Sequence, residues 1–453
     1  MDYIKMKTGG RRRHVNNFLG GADMRFDEGV VSESSAVMCK NFRFESGALT
    51  GGYGLESDLF YEGRRIWSVW DFVRYDFTAD RYVTIKMLCD AAGRVMYYDN
   101  MWRVLGGVVF TSPPRALVYR LYGTDTVIMT SDTDEMVVWS GTGAAQRITG
   151  SPLITSFAMH YERMFATTVG EQNKVYFSDD LDPTNWNETL TEGGYIQLLD
   201  ERGKLLKVVD FLNYVYIFRE YGVSRLVAYA DQQEFYVVNL YVAGGKVYAG
   251  SVAQTGSGVM LLGSDGLYSF DGYDMTRRLK NIEFDASPDA SAVYADGRYY
   301  LAARVKGFSP SAGTANNALV VYDTASGGYS VSEISAARLM RSGDSVYAAT
   351  YANELGRVVP SGMVFGDPLE SVWESGYGDF GTPARKTLKE ITLTSARSAI
   401  LTVIADGKEY TYIVAGGATP MRVKPTIAAH RFKFRIRSFE RNANIQRMSY
   451  VLN

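Results

Sequence analysis

Residues 174–186 read KVYFSDDLDPTNW: a short apolar strand, an acidic turn, a proline and a tryptophan. Four weaker echoes recur: VMYYDNMW at 95–102, MVVWSGTG at 136–143, GLYSFDGYD at 266–274 and LVVYDTASGGY at 319–329. Each is a β-branched or aromatic run broken by Asp or Gly turn chemistry, repeating at roughly 40 to 55 residues, near the blade period of four-stranded propellers. The reading is one strand of a repeated sheet. No such unit buries both of its faces alone, so blades must pack on neighbours around an axis.

The rest of the composition agrees. The 453 residues include 32 Tyr and 45 Gly against 11 Pro, with 46% hydrophobic and 13% aromatic content, which favours strands separated by turns. The expected class is all-β: a β-propeller of about six to seven blades, an irregular N-terminal segment and a C-terminal β-sandwich. The expected units are an arm and hairpin over 1–60, the propeller over 61–362 and the sandwich over 368–453, with about six blades and a partial one that the N-terminal strands could complete by closing the ring. In the first, CKNFRFESGALTGGYG at 39–54 reads as two strands joined at Ser46 and Gly47. In the last, Asp406 and Gly407 suit a two-residue type I′ turn.

A formal charge of −2 carries no footprint of a sequence-specific nucleic-acid binder. Cys39 and Cys89 are too few for a disulfide framework. The N-terminal stretch lacks a signal-peptide core and no apolar run is long enough to cross a bilayer, so the expectation is a chain made in the cytoplasm without a membrane anchor.

Catalytic signals are weak. His14, His160 and His430 have no second His at metal-ligand spacing, and HYERM at His160 is no zincin motif. Asp179, Asp180 and Asp182 resemble a glycosidase carboxylate set, but an acidic run before Pro183 is also what a tight turn favours. The loop lacks EF-hand spacing, and GSGV at 256–259 lacks a P-loop lysine. No catalytic, cofactor or metal residue is assigned, and the expectation is a protein that is not an enzyme.

Interaction candidates are basic. Arg11, Arg12 and Arg13 form a cluster suited to a partner-facing arm. In HRFKFRIRSF at 430–439, Phe432, Phe434 and Ile436 alternate with Arg431, Lys433, Arg435 and Arg437. That basic face reads as a solvated surface, a subunit interface or a DNA-facing wall. The loop at 307–317, GFSPSAGTANN, reads as an exposed excursion.

The order of these features resembles the packaged-DNA stabilisation proteins of short-tailed bacteriophages, the tail hub or nozzle family. The resemblance rests on CKNFRFESGALTGGYG, KVYFSDDLDPTNWN, GSDGLYSFDG, ADGRYYLAARV with NNALVVYD, and HRFKFRIRSFERNANIQRMSYVLN, in that order. It implies a virion tail component forming a homo-hexameric ring below portal and adaptor proteins. Such a ring would retain packaged double-stranded DNA, pass it without sequence specificity at ejection, and carry a tail fibre, spike or plug. The resemblance supplies no catalytic motif. The alternative is a carbohydrate-active or glycan-binding propeller, either a glycosidase or a receptor-binding protein.

Overall fold

All five echoing stretches are the third strand of a four-stranded antiparallel sheet: Arg94–Asp99, Val137–Trp139, Lys174–Phe177, Gly266–Phe270 and Ala318–Asp323. A third strand has a neighbour on each side and buries its central residues, so it is largely apolar, and it then turns into the fourth. Asp271 accepts the N–H groups of Tyr273 and Asp274 at 3.0 and 2.8 Å, and Asp323 those of Ala325 and Ser326 at 3.1 and 2.8 Å. The gap between 174 and 266 holds two periods because the third strand of the intervening sheet, Gly222–Val227, runs into a longer loop instead.

The computed structural model describes residues 12–16, 18, 21–24, 31, 35–229, 231–309 and 313–453, with the strand Arg12–Asn16 given by its backbone. Among the described residues there is no α-helix, only three single-turn 3₁₀ segments. Six blades follow in chain order over 66–109, 115–147, 154–197, 205–242, 253–278 and 291–332. Blade 7 takes three strands from 336–359 and its fourth from Gly54–Ser57, where Leu55 lies opposite Val358. Seven apolar clusters mark seven blade-to-blade interfaces. They run from Phe72 and Trp139 between blades 1 and 2, through Val208 and Phe165 between 3 and 4, to Ile66, Leu88, Met340 and Tyr347 between 7 and 1. The remaining four interfaces have their own clusters, so the ring is closed. Strand alternation divides the residues: Val320 packs toward blade 5 and Val321 toward blade 7.

The first strand of each blade is innermost and leaves one edge without a strand partner. Polar side chains from the preceding blade satisfy part of that edge. Ser156 accepts the Val208 N–H at 3.2 Å and Ser291 the Leu339 N–H at 3.0 Å. Lys207 donates to the Val252 carbonyl at 2.5 Å and Arg338 to that of Trp67 at 2.9 Å. These four side chains each lie four residues before the end of their strand, at His160, Ala295, Phe211 and Ser342 respectively.

The sandwich packs a five-stranded sheet, in the order Ala36–Lys40, Ser371–Ser375, Phe432–Ser438, Ala399–Ala405, Lys408–Val414, against a second sheet. The second is built on Phe42–Glu45, Ala48–Gly51, Asn444–Leu452 and Lys386–Ser395. Trp373, Phe432, Phe434, Ile436, Leu401 and Ile445 fill the space between. Both expected turns form, with positive φ at Ser46 and Gly47 and at Asp406 and Gly407. Ser330 of blade 6 pairs with Arg43, making the second sheet and blade 6 one eleven-stranded sheet.

The expected hairpin forms and an N-terminal strand closes the ring as expected, while the stretch as a whole is shared between the two modules. Arg12–Asn16, Ala36–Lys40, Phe42–Glu45 and Ala48–Gly51 complete the sandwich, and Gly54–Ser57 completes the propeller. The physical reason is edge satisfaction: both modules end chain-wise one or more strands short, and the N-terminal strands cover the edges.

The loop at 307–317 also departs from a free excursion. Asn316 and Asn317 are buried; Asn317 bonds the backbone of Val305 on both its N–H and carbonyl, and Asn316 donates to the carbonyls of Asp289 and Ala336. Residues 310–312 lie outside the described residues.

Candidate functional site

The tip of the first hairpin of blade 3, the turn after Lys174–Phe177 and the loop after Gly222–Val227 surround a cleft of about 810 Å³ between blades 3 and 4. His160, the last residue of the innermost strand of blade 3, lines it. The imidazole is 3% exposed, and its Nδ1 lies 2.7 Å from Oδ1 of Asp210 on the innermost strand of blade 4. Its Nε2 is buried and has no hydrogen-bond partner among the described residues. Gln232 Oε1, in the 3₁₀ turn capped by Asp231, is buried and unpartnered in the same way.

Carboxylates dominate the wall, with Glu162, Asp180, Glu192 and Asp231 all lining the cleft. Arg163 is the one Lys or Arg among its lining residues, and it is held by the Glu192 carboxylate and by the carbonyls of Ser178 and Glu192 at 3.3 Å each. The acidic field reaches blade 2, where burial and then the charges of Glu162, Asp180 and Asp182 hold the Tyr119 phenol above its ordinary range. At the rim, Tyr161 and Tyr229 are 55% and 68% exposed, with ring centroids 5.5 Å apart and planes at 70°.

The other two aspartates of the acidic run are used by the backbone. Asp179 accepts the N–H groups of Asp180 and Glu192 at 2.9 and 3.1 Å. Asp182 accepts the Thr184 N–H at 2.9 Å and its hydroxyl at 2.6 Å, and receives the Tyr122 hydroxyl at 2.5 Å. Of the three, Asp180 alone lines the cleft. Among the described residues no three His, Cys, Asp or Glu side chains come together as a metal set.

The basic C-terminal strand lies beside carboxylates of its own sheet and its flanks. Phe432, Phe434 and Ile436 do enter the core, at 0%, 2% and 0% exposure. On the opposite face, three of the four cations are paired with carboxylates of the same chain. Lys433 is buried and its Nζ lies 2.5 Å from Glu374, which also binds Arg435. Arg435 reaches Glu409 at 3.1 Å, Arg437 reaches Glu370 at 3.4 Å, and Arg431 lies over the Tyr377 ring. Glu374 and Glu409 come from strands that only the folded sheet brings alongside, and Glu370 from the residue before Ser371–Ser375.

Arg11 lies outside the described residues; Arg12 and Arg13 fall in a strand paired with Asn444–Leu452, opposite Leu452 and Val451. Sequence reading missed the pairing of His160 with Asp210. The only handle was their separation of 50 residues, one blade period. The two cysteines are free and buried in separate modules, Cys39 in the sandwich and Cys89 in blade 1.

No protein-family model and no curated protein matches the chain. Among solved structures it is similar to the WD40 domain of Pan2 from Neurospora crassa, at 9% identity and TM-score 0.40, covering 68% of this chain and 94% of that one. It is also similar to BamB from Moraxella catarrhalis, at 12% identity and TM-score 0.35, covering 60% and 78%. The closed ring of four-stranded sheets identifies the protein as an all-β propeller joined to a β-sandwich.

Proposed function

We propose that the protein is a non-enzymatic structural component of a short-tailed phage particle: a tail hub or nozzle subunit that assembles into a hexameric ring below portal and adaptor. In this reading the ring retains packaged DNA, passes it at ejection and carries a fibre, spike or plug. The ordered motifs resembling that family motivate it. The observation that carries it is the eleven-stranded sheet running from blade 6 into the sandwich. The two sheets join at Ser330 and Arg43, with the Asn41 N–H on the Val331 carbonyl at 2.9 Å, which ties the sandwich to the propeller as a ring segment would need. The strand at 431–437 is not taken as the DNA-facing element in this reading, because Lys433, Arg435 and Arg437 are already paired with Glu370, Glu374 and Glu409.

Imaging of the purified chain, alone and with portal, tests the proposal: closed six-membered rings that dock on the portal are expected, and a monodisperse monomer at all concentrations would overturn it. A glycan-binding or glycosidase role is the second reading, favoured by the exposed Tyr161 and Tyr229 beside the carboxylates of the cleft. Turnover of an oligosaccharide that is lost in Asp180→Asn would put that reading first.

A further inference from the structure

Three cations stand on innermost strands of the propeller, at the end where those strands begin. Arg115 is the first residue of its strand in blade 2, and Lys207 and Arg338 are each the third in blades 4 and 7. Blade 1 lies between blades 7 and 2, blade 3 between 2 and 4, and blades 5 and 6 between 4 and 7, so the three approach the axis from three sides. The charge of Arg115 acts on both of the others, which places the three side chains together at the axial opening. Arg115 is exposed, and Lys207 and Arg338 keep partial exposure, so a solvent ion can reach all three.

Their own partners leave positive charge over. Asp132 lies 2.7 Å from Arg115. Among the described residues Lys207 and Arg338 have no carboxylate at ion-pair distance, and each makes one hydrogen bond, to the carbonyls of Val252 and Trp67. Further N–H donors remain on both, since an ammonium carries three and a guanidinium five. Satisfying the inner edge does not by itself require charge: Ser156 and Ser291 do so in blades 3 and 6 with a hydroxyl. Ser156, Lys207 and Arg338 even follow the same register shift in their strands. Burial and then the like charge of Arg115 hold both the Lys207 ammonium and the Arg338 guanidinium below their ordinary ranges, a cost that a bound anion would offset.

We propose that the axial opening of the propeller, at the end where the innermost strands begin, binds a phosphate-type dianion between Arg115, Lys207 and Arg338. Three positive charges against the one carboxylate of Asp132 leave two, which matches a dianion, and a tetrahedral oxyanion offers acceptors to donors arriving from three sides. Bound there, it ties blades 2, 4 and 7 together across the axis. The site stands whether or not the chain assembles into a ring of subunits.

The test is calorimetric titration of the full chain in phosphate-free buffer at fixed ionic strength, with inorganic phosphate in one arm and glycerol 3-phosphate in the other. Saturable binding of a single ion is expected, weakening as salt is raised. Arg115→Gln, Lys207→Met and Arg338→Met should each lower the affinity at least about ten-fold, the effect of removing hydrogen bonds from a charged group. The thermal midpoint should rise with phosphate in wild type and not in these variants. Binding of phosphate alone assigns the site to the free ion, and binding of the ester as well assigns it to a phosphoryl group on a larger molecule; both support it. No saturable binding to wild type overturns the site. So does an affinity unchanged in Lys207→Met and Arg338→Met, which would leave the anion on the exposed Arg115 alone. Should an inner variant fail to fold, Arg115→Gln at its exposed position decides, and an affinity equal to wild type there overturns the site.

Discussion

Glu374 stands directly across a strand pair from Arg435 and binds it through one carboxylate oxygen, while the other lies 2.5 Å from the buried ammonium of Lys433. One acid thus bridges two cations on a sheet face that the sequence presents as uniformly basic. Burial pushes the Glu374 carboxyl up, but the hydrogen bonds and charges of Lys433 and Arg435 outweigh it and hold the group below the ordinary glutamate value.

Glu374→Gln should therefore be costly, about 3–5 kcal/mol, the range for removing one partner of a buried ion pair. Urea unfolding at pH 7 measures it. A loss under about 1 kcal/mol would mean that the triad behaves as a solvated surface pair.

The same triad sets an acid limit. A carboxyl whose folded value lies below its unfolded value of 4.5 contributes fully above pH 4.5 and loses that contribution as pH falls further. Stability should drop below pH 4.5 in wild type and drop less in Glu374→Gln over the same window, as followed by the urea midpoint.

Lys207 has the opposite sign. Desolvation among the blades, with the charge of Arg115 adding to it, pushes its ammonium down from 10.5 to about 8. Between those values the unfolded chain binds more protons than the folded one, so this group makes stability rise with pH from about 8 to 10.5. Lys207→Met should flatten that rise; a curve parallel to wild type would show that the ammonium is solvated.

Ring closure should be sensitive at Gly54. A Cβ there would meet the Met363 carbonyl oxygen at 2.0 Å and its nitrogen at 2.7 Å. Gly54→Ala should cost at least about 1–3 kcal/mol as overpacking against backbone, and expose the N-terminal strands to proteolysis. Limited digestion alongside thermal unfolding tests both effects.

Asp182 should prove structural. It fixes its own turn through Thr184 and ties blade 3 to Tyr122 of blade 2. Asp182→Ala should lower stability by about 1–3 kcal/mol, the cost of hydrogen bonds to a charged acceptor. Stability equal to wild type would leave those bonds without weight.

The repeat was legible because it is local. Third strands such as Ala318–Asp323 bury both faces and end in an Asp-capped corner, so composition and turn chemistry over about ten residues reveal them. Blade 4 was the least legible of the middle blades, since Gly222–Val227 lacks that corner. The cleft was hardly legible at all: HYERM reads as an ordinary strand end, and nothing near it in sequence announces Asp210, Tyr229 or Gln232.

The sequence by itself determined the all-β class, the blade period, the Ser46–Gly47 and Asp406–Gly407 turns, and the alternation that buries Phe432, Phe434 and Ile436. Each depends on φ preferences and side-chain period within a few neighbours. The reading that N-terminal strands close the ring also came from sequence, but tertiary structure alone decided that the closing strand sets Leu55 opposite Val358, that Arg43 joins the sandwich to Ser330, and that Lys433 and Arg435 meet Glu374. Those partners lie tens to hundreds of residues apart, and which edges and charges end up side by side follows from how unpaired strand edges and buried charges are satisfied across the whole chain.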